Sequence, residues 1–330
     1  MSAPKSMIHF GLLAKIEATY ADGIASSPAT DAVQVAEIPE YTDTYAFDGA
    51  RGPSPGTRGT QIRVAPNGKA GQIVAKIEGK GAASAFSGAV KPKDLTVMMR
   101  IAGFDETGSF TGGSEKYTYT PTQGPGGFSS GTLNLYKGGS RYKLQGCYAD
   151  LEWNAENGGP GIFTFTAQGI QALAPLDNTS DPIAMVYAPT VLPPVSAPLV
   201  LTVAGVASLV VRSAKVKIQR GIQPRVDLNA AGGHAGFHPG TWAPELSFIC
   251  EAPLRSLIDF DALRLAGTVF AGSIGRIGST QYNRYKWTWA QMQVSNVVPQ
   301  QDDKIPTLEV TCTAHTSTGI LNDDLSLVID

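Results

Sequence analysis

Three kinds of side-chain grouping in this sequence could do chemistry. Acidic residues pair as Asp150 with Glu152, Asp259 with Asp261, and Asp323 with Asp324. A glycosidase needs two carboxylates about 5–9.5 Å apart, facing each other across a cleft, one to give a proton and one to attack or activate water. Residues two apart on a strand share one face and point the same way, so Asp150 and Glu152 predict a polar face rather than an acid/base couple. His234 and His238 stand in GGHAGFHPG. A His-x-x-x-His pair chelates zinc when a helix puts both rings on one side, and Gly232, Gly233, Gly236 and Pro239 preclude that helix. The segment is expected to be a glycine-rich interface loop. Gly52-Pro53-Ser54-Pro55-Gly56 spells a nucleophile elbow, whose serine needs a strand before it and a helix after it. Prolines on both sides of Ser54 remove that context. No Gly-x-x-x-x-Gly-Lys-Ser/Thr phosphate loop is present. The expectation is a protein without catalysis, cofactor or metal.

The elements that must position these residues follow from composition and pattern. The chain has 330 residues, enough for two units of about 150 residues, each able to bury a core. With 37 Gly, 22 Pro and only 16% charged residues, it is expected to be rich in strands and turns. Its 26 basic and 28 acidic residues give a net charge of −2, so no basic surplus exists for tight, salt-dependent DNA binding. Cys147, Cys250 and Cys312 are odd in number, far apart and set among alternating apolar residues, which predicts buried small hydrophobes. No apolar run approaches membrane-spanning length and the N-terminal residues lack a secretory pattern, so an intracellular product without membrane insertion is expected.

The stretch Gly131–Gly169 organises the reading. Leu133 and Leu135 alternate with polar neighbours, Lys137-Gly138-Gly139-Ser140 supplies a turn, and the alternation resumes through Leu151, Trp153, Phe163, Phe165 and Ala167. Period-two alternation around such turns predicts three antiparallel strands with one apolar face. The pattern returns over Gly267–His315. Residues 92–103 predict a helix, with Pro92 at its start, Asp94 at its positive end, an apolar stripe of Leu95, Met98, Met99 and Ala102, and Gly103 at its stop. Residues 253–267 predict a second one, with Leu254, Leu257, Ile258 and Leu265 available for packing. Strands are expected near Val33–Ile38, Tyr41–Phe47, Gln72–Gly79, Tyr117–Tyr119, Ala214–Ile218, Arg225–Leu228 and Glu245–Glu251. A long irregular segment, Asp48–Gly71, carries Arg51, Arg58 and Arg63 and predicts an arm reaching a neighbouring copy. Two helices, each followed by a three-strand block, indicate a pattern laid down twice, with a Pro-rich boundary between.

One phrase carries a family resemblance. LLAKIEATYADGIASSP, read here as a helix with Leu12 and Ile16 on one side leading into a loop of small residues, is similar to the N-terminal signature of tail tube proteins of long-tailed bacteriophages. The order of loop, strand, helix, long hairpin and strand resembles that family over nearly the whole chain. The resemblance implies a mainly β fold: two tandem tail-tube-like β-sandwich or barrel domains, each with one flanking helix and long inter-ring loops. The domains would span 1–175 and 199–330, with 176–198 as linker.

What the resemblance implies about function is structural. Copies of the chain would join sheet edges into rings that stack into a tube for DNA passage, three chains closing a ring of six domains. A ring of six chains, with the second domain outside, is the alternative geometry. Channel-lining candidates are the polar members of the long hairpins: Asn134, Gln145, Asp150, Glu152, Asn154, Gln291 and Gln293. Inter-ring loop candidates are Arg51, Arg58, Arg63, His234 and His238. Partners implied are further copies of itself, a tape measure protein, a tail terminator, baseplate or tip proteins and transiently passing double-stranded DNA. The location implied is the virion tail, assembled in the host cytoplasm. Two other classes stay open: a carbohydrate-binding or adhesive virion protein using exposed Trp153, Trp242, Trp287 and Trp289, and a β-rich hydrolase.

Overall fold

The structure, a computed structural model, describes residues 10–45, 69–122, 127–156, 158–171, 176–177, 185–187, 191–196, 199–227, 234–302, 304–317 and 324–330. The first half supplies β1 (Phe10–Ile16), β2 (Ala32–Val33), β3 (Glu40–Tyr45), β4 (Lys69–Glu78), α1 (Lys93–Ile101), β5 (Phe104–Ser109), β6 (Lys116–Pro121), β7 (Gly131–Lys137), β8 (Ser140–Glu156) and β9 (Ile162–Gln171). After β10 (Leu176–Asp177) come β11 (Leu201–Val203), β12 (Val211–Gln219), β13 (Gln223–Val226), β14 (His234–His238) and β15 (Ala243–Glu251). Then follow α2 (Phe260–Leu265), β16 (Val269–Ile277), β17 (Tyr285–Asp302), β18 (Ile305–His315) and β19 (Ser326–Ile329). The chain is mainly β.

Local chemistry explains the main elements. Gly138 and Gly139 both take positive φ, 57° and 73°, so β7 and β8 close through a two-residue turn whose twist matches the strands. Along β8, Leu151, Trp153 and Ala155 are buried while Asp150, Glu152 and Asn154 are half-exposed, as period two requires. Helix α1 buries Leu95, Met98, Met99 and Ile101. It ends where the Gly103 amide, on a residue at φ 78°, donates to the Arg100 carbonyl at 2.9 Å.

The strands pair antiparallel in an order that occurs two times. One series runs β1, β7, β8, β9, β4, β3. The other runs β11, β16, β17, β18, β15, β12. They meet where β12 pairs with the outer part of β8, Val216 opposite Trp153 and Ile218 opposite Leu151. Strand β19 makes a second link, pairing with both β6 and β17. The two halves share one hydrophobic core: Trp153 and Phe163 pack on Tyr285 and Trp287, with the Trp153 indole N–H donating to the Tyr285 hydroxyl at 3.3 Å.

Several expectations are corrected. Residues 10–16 form a strand, not a helix, because β1 pairs with β2 and β7 and Leu12, Leu13 and Ala14 are all buried; a continuous apolar run does not distinguish the two states by itself. Helix α2 has only six residues. It starts after Asp259, whose carboxylate accepts the Ala262 N–H at 3.0 Å, while Leu254 and Leu257 before it are exposed, as is Leu265 at its end. No buried surface lies under them to offset the cost of a longer helix. Residues 234–238 form strand β14 against β13 rather than a loop. The boundary segment packs on its surroundings: Leu176 pairs with Arg141, Val195 bridges to Pro160, and the Ser196 N–H donates to the Gly159 carbonyl at 2.8 Å. Trp153, Trp287 and Trp289 are buried and Trp242 is half-buried, so they offer no exposed aromatic platform. Cys147, Cys250 and Cys312 are free and buried; burial pushes the Cys147 thiol up and the Cys312 thiol up to about 12. Among the described residues no helix is long and apolar enough to cross a membrane.

Candidate functional site

The feature that the two halves build together is a sheet face. Cross-strand neighbours form a row from Lys76 through Thr164, Glu152, Lys217, Glu245 and Thr313 to Gln293. The next row reads Ile162, Asn154, Lys215, Ser247, Thr311 and Asn296. Opposite charges alternate along the first row, and cross-strand pairs of this kind stabilise a sheet without adding net charge to its surface. At the meeting of the halves the Lys215 ammonium lies 2.8 Å from Glu152. Desolvation works to raise the Glu152 carboxyl, but hydrogen bonds from Lys215 and Asn154 and the nearby charge of Lys217 hold it below its ordinary value. Asp150, two residues on, accepts the backbone N–H of Arg220 at 2.6 Å.

The same joint is clamped from behind by Arg220, whose side chain is buried between the halves. Its guanidinium donates to the Gly103 carbonyl and lies 4.6 Å from the Phe128 ring and 4.5 Å from the Trp242 ring. Desolvation pulls it down to about 10, against the pull of Asp150, Asp105 and Asp324, so it stays charged at neutral pH. The N-terminal segment is pinned by two other residues. Glu17 accepts four hydrogen bonds, from the Ser130 and Thr132 hydroxyls at 2.7 and 2.6 Å and from the Ala21 and Gly146 amides at 3.0 and 3.1 Å. Tyr20 reaches the second half: its hydroxyl accepts the Phe237 N–H at 2.6 Å and donates to the Phe237 carbonyl at 3.2 Å. A Cβ at Gly236 would lie 2.1 Å from that hydroxyl, so only glycine admits the contact.

A family model described as the phage tail tube protein matches residues 11–273, a span from β1 into β16 that covers the clamp, the pins and the joint. The chain belongs to the phage tail tube protein family. No curated protein matches it. As a tail tube protein it is a structural component of the virion tail, and its geometry is read in that light.

Of the polar residues singled out from sequence, Asp150, Glu152, Asn154 and Gln293 lie on the sheet face just described, half-exposed. Gln145 and Gln291 are half-exposed on β8 and β17. Asn134 leaves the set: it is 4% exposed and donates to the Ser26 hydroxyl at 2.8 Å. Arg51, Arg58, Arg63 and Ser54 lie outside the described residues. His234 and His238 stand four residues apart on a strand, which sets their backbones about 13 Å apart, not one turn apart on a helix. Asp259 caps α2 and lies 4.0 Å from Arg255. Asp324 is buried and accepts the Trp242 indole N–H at 2.6 Å; Asp323 lies outside the described residues. Sequence reasoning missed the roles of Glu17, Tyr20 and Arg220. Glu17 and Tyr20 had a signal, since both fall in the LLAKIEATY phrase. Arg220 had none, because its hydrogen-bond partners lie 70 to 117 residues away.

Proposed function

We propose that this tail tube protein self-assembles into stacked rings whose lumen conducts DNA, with three chains closing a ring from six like modules. The carrying observation is the strand order found two times, with the series joined edge to edge through β8 and β12. Such a chain is two consecutive segments of a wall. An isolated sheet edge leaves N–H and C=O groups unpaired, and ring closure pairs them. The modules correspond to 1–175 and 199–330, joined by 176–198.

The sheet face bearing Asp150, Glu152, Asn154 and Gln293 is proposed to line the lumen. Its charges alternate, and a wall without positive surplus does not hold phosphates against movement. The tape measure, terminator and baseplate or tip proteins would then be its partners, in tails assembled inside the host. Electron microscopy of the pure protein, with the mass of the smallest ring, tests this. Trimeric rings or tubes are expected, and a protein that stays monomeric at high concentration would overturn it.

A further inference from the structure

The repeated strand order matches the strands of the two series, and the ends of β4 and β15, Glu78 opposite Ile162 and Glu251 opposite Thr307, set the register between them. Ile73 of β4 is opposite Ala167 of β9 and Leu246 of β15 is opposite Cys312 of β18, and counting outward from these pairs makes Tyr41 of β3 the counterpart of Val216 of β12. On the other side, Ala149 of β8 is opposite Ala167 and Val294 of β17 is opposite Cys312. After the bulge between Val294 and Asn296, Leu151, Glu152, Trp153 and Asn154 correspond to Val297, Val298, Pro299 and Gln300.

The internal joint of β12 with β8 therefore has a counterpart whose two members are both present. Among the described residues β3 pairs with β4 alone, and the 295–302 part of β17 pairs with β18 alone. We propose that β3 of one protomer pairs antiparallel with 297–302 of β17 in the next copy of this chain, in the register of the internal joint. Tyr41 then stands opposite Pro299, Thr42 opposite Val298 and Glu40 opposite Gln300. The assignment rests on the ring-forming function proposed above and specifies which edges close it.

Three observations fit a second copy as the occupant. The two open edges are different, so each protomer offers one of each kind and the contact runs head to tail, the arrangement that closes rings. Side-chain parity agrees: Glu40 and Thr42 are exposed and Tyr41 is half-buried, so Thr42 shares a face with Val298 as Lys217 does with Glu152. The end of the β17–β18 hairpin also leaves apolar groups in solvent. Val298 is 38% and Ile305 39% exposed and Pro299 and Pro306 are exposed, whereas Trp153 and Phe163 at the end of β8–β9 are wholly buried by the other half. A strand carrying proline is tolerated at a sheet edge, and Pro299 leaves the new joint at most one ladder bond short of the internal one.

Cysteine pairs placed in the full chain and oxidised under mild conditions test the register, because the native thiols are buried. One pair joins Thr42→Cys with Val298→Cys and another Tyr41→Cys with Pro299→Cys, so that one of the two falls at a close, non-hydrogen-bonded position. Expected is an interchain bond in one of these variants, giving covalent dimers and trimers on a non-reducing gel. The shifted pair of Thr42→Cys with Gln300→Cys is expected to stay at least tenfold less linked. Rings that form but link only in the shifted pair, or in none, overturn the register while leaving the ring-forming function standing. Unmodified protein that forms no rings at all overturns that function, and this assignment with it. Val298→Asp is the guard against variants that misfold: it should keep the circular dichroism spectrum and melting temperature of the lone protomer and lose at least tenfold in assembled fraction. Unchanged assembly of Val298→Asp would overturn the proposal.

Discussion

The hairpin of β8 and β9 and the hairpin of β17 and β18 pair in the same sense and hold corresponding places in their series, but their ends meet different surroundings. At the first, Trp153 and Phe163 are wholly buried against Tyr285 and Trp287, and β12 covers the strand flank. At the second, the corresponding Pro299 stands in solvent and, among the described residues, no second strand pairs with the flank. The residue types follow the surroundings: large aromatics where the chain itself supplies the cover, and proline, glutamine and valine where it does not. A strand order used two times in one chain thus carries two versions of the same edge, one covered inside the protomer and one exposed on it.

The largest expected contrast lies at those two corresponding positions. Trp153→Ala removes a buried aromatic and should cost the protomer about 3–5 kcal/mol, whereas Pro299→Ala should change it by no more than about 0.5 kcal/mol. Urea denaturation of the dissociated protomer checks both, and equal costs would mean that the ends are not differently covered. Next is Glu17, which has no counterpart described in the second half. Glu17→Ala leaves four donors without their acceptor, Thr132 wholly buried among them, and should cost about 3 kcal/mol, with Glu17→Gln costing less. Arg220→Met keeps the stem packing and loses the charge and the bond to Gly103. The expected loss is on the order of 2 kcal/mol, accompanied by earlier loss of the contact between halves, read from the fluorescence of Trp242.

How much of this was readable in the sequence depends on how local the cause is. The β7–β8 turn, the alternation of Leu151, Trp153, Phe163 and Phe165, and helix α1 were readable, because a glycine pair, a period of two and a Pro-to-Gly frame act within a few residues. Strand β1 was misread as a helix because its run of Leu12, Leu13 and Ala14 is buried on both faces, and only its partners β2 and β7 decide its state. The tryptophans were misread as exposed for a related reason: alternation tells which residues share a face, not whether the other half covers it. Polar residues on the sheet face were found by parity, yet Asn134 has the same strand pattern and is buried by Ser26, which lies 108 residues away.

The smallest effect tests whether the internal joint differs from the open one by charge. Glu152 is held below its ordinary carboxyl value by the folded state, so its contribution is present above the unfolded value near 4.5 and is lost as pH falls through the lower folded value. Both Glu152 and Lys215 are partly exposed, which limits the pair to about 0.2–1 kcal/mol. Glu152→Gln should therefore match the unmodified protomer at a pH below both values and be less stable by a few tenths of a kcal/mol near pH 7, the gap narrowing as salt is added. Val298, at the corresponding place on β17, carries no charge, so Val298→Thr should show no difference in pH dependence between the two conditions. A Glu152→Gln deficit that persisted at low pH would assign the effect to something other than the carboxylate's charge, and the two edges would then differ in burial but not in electrostatics.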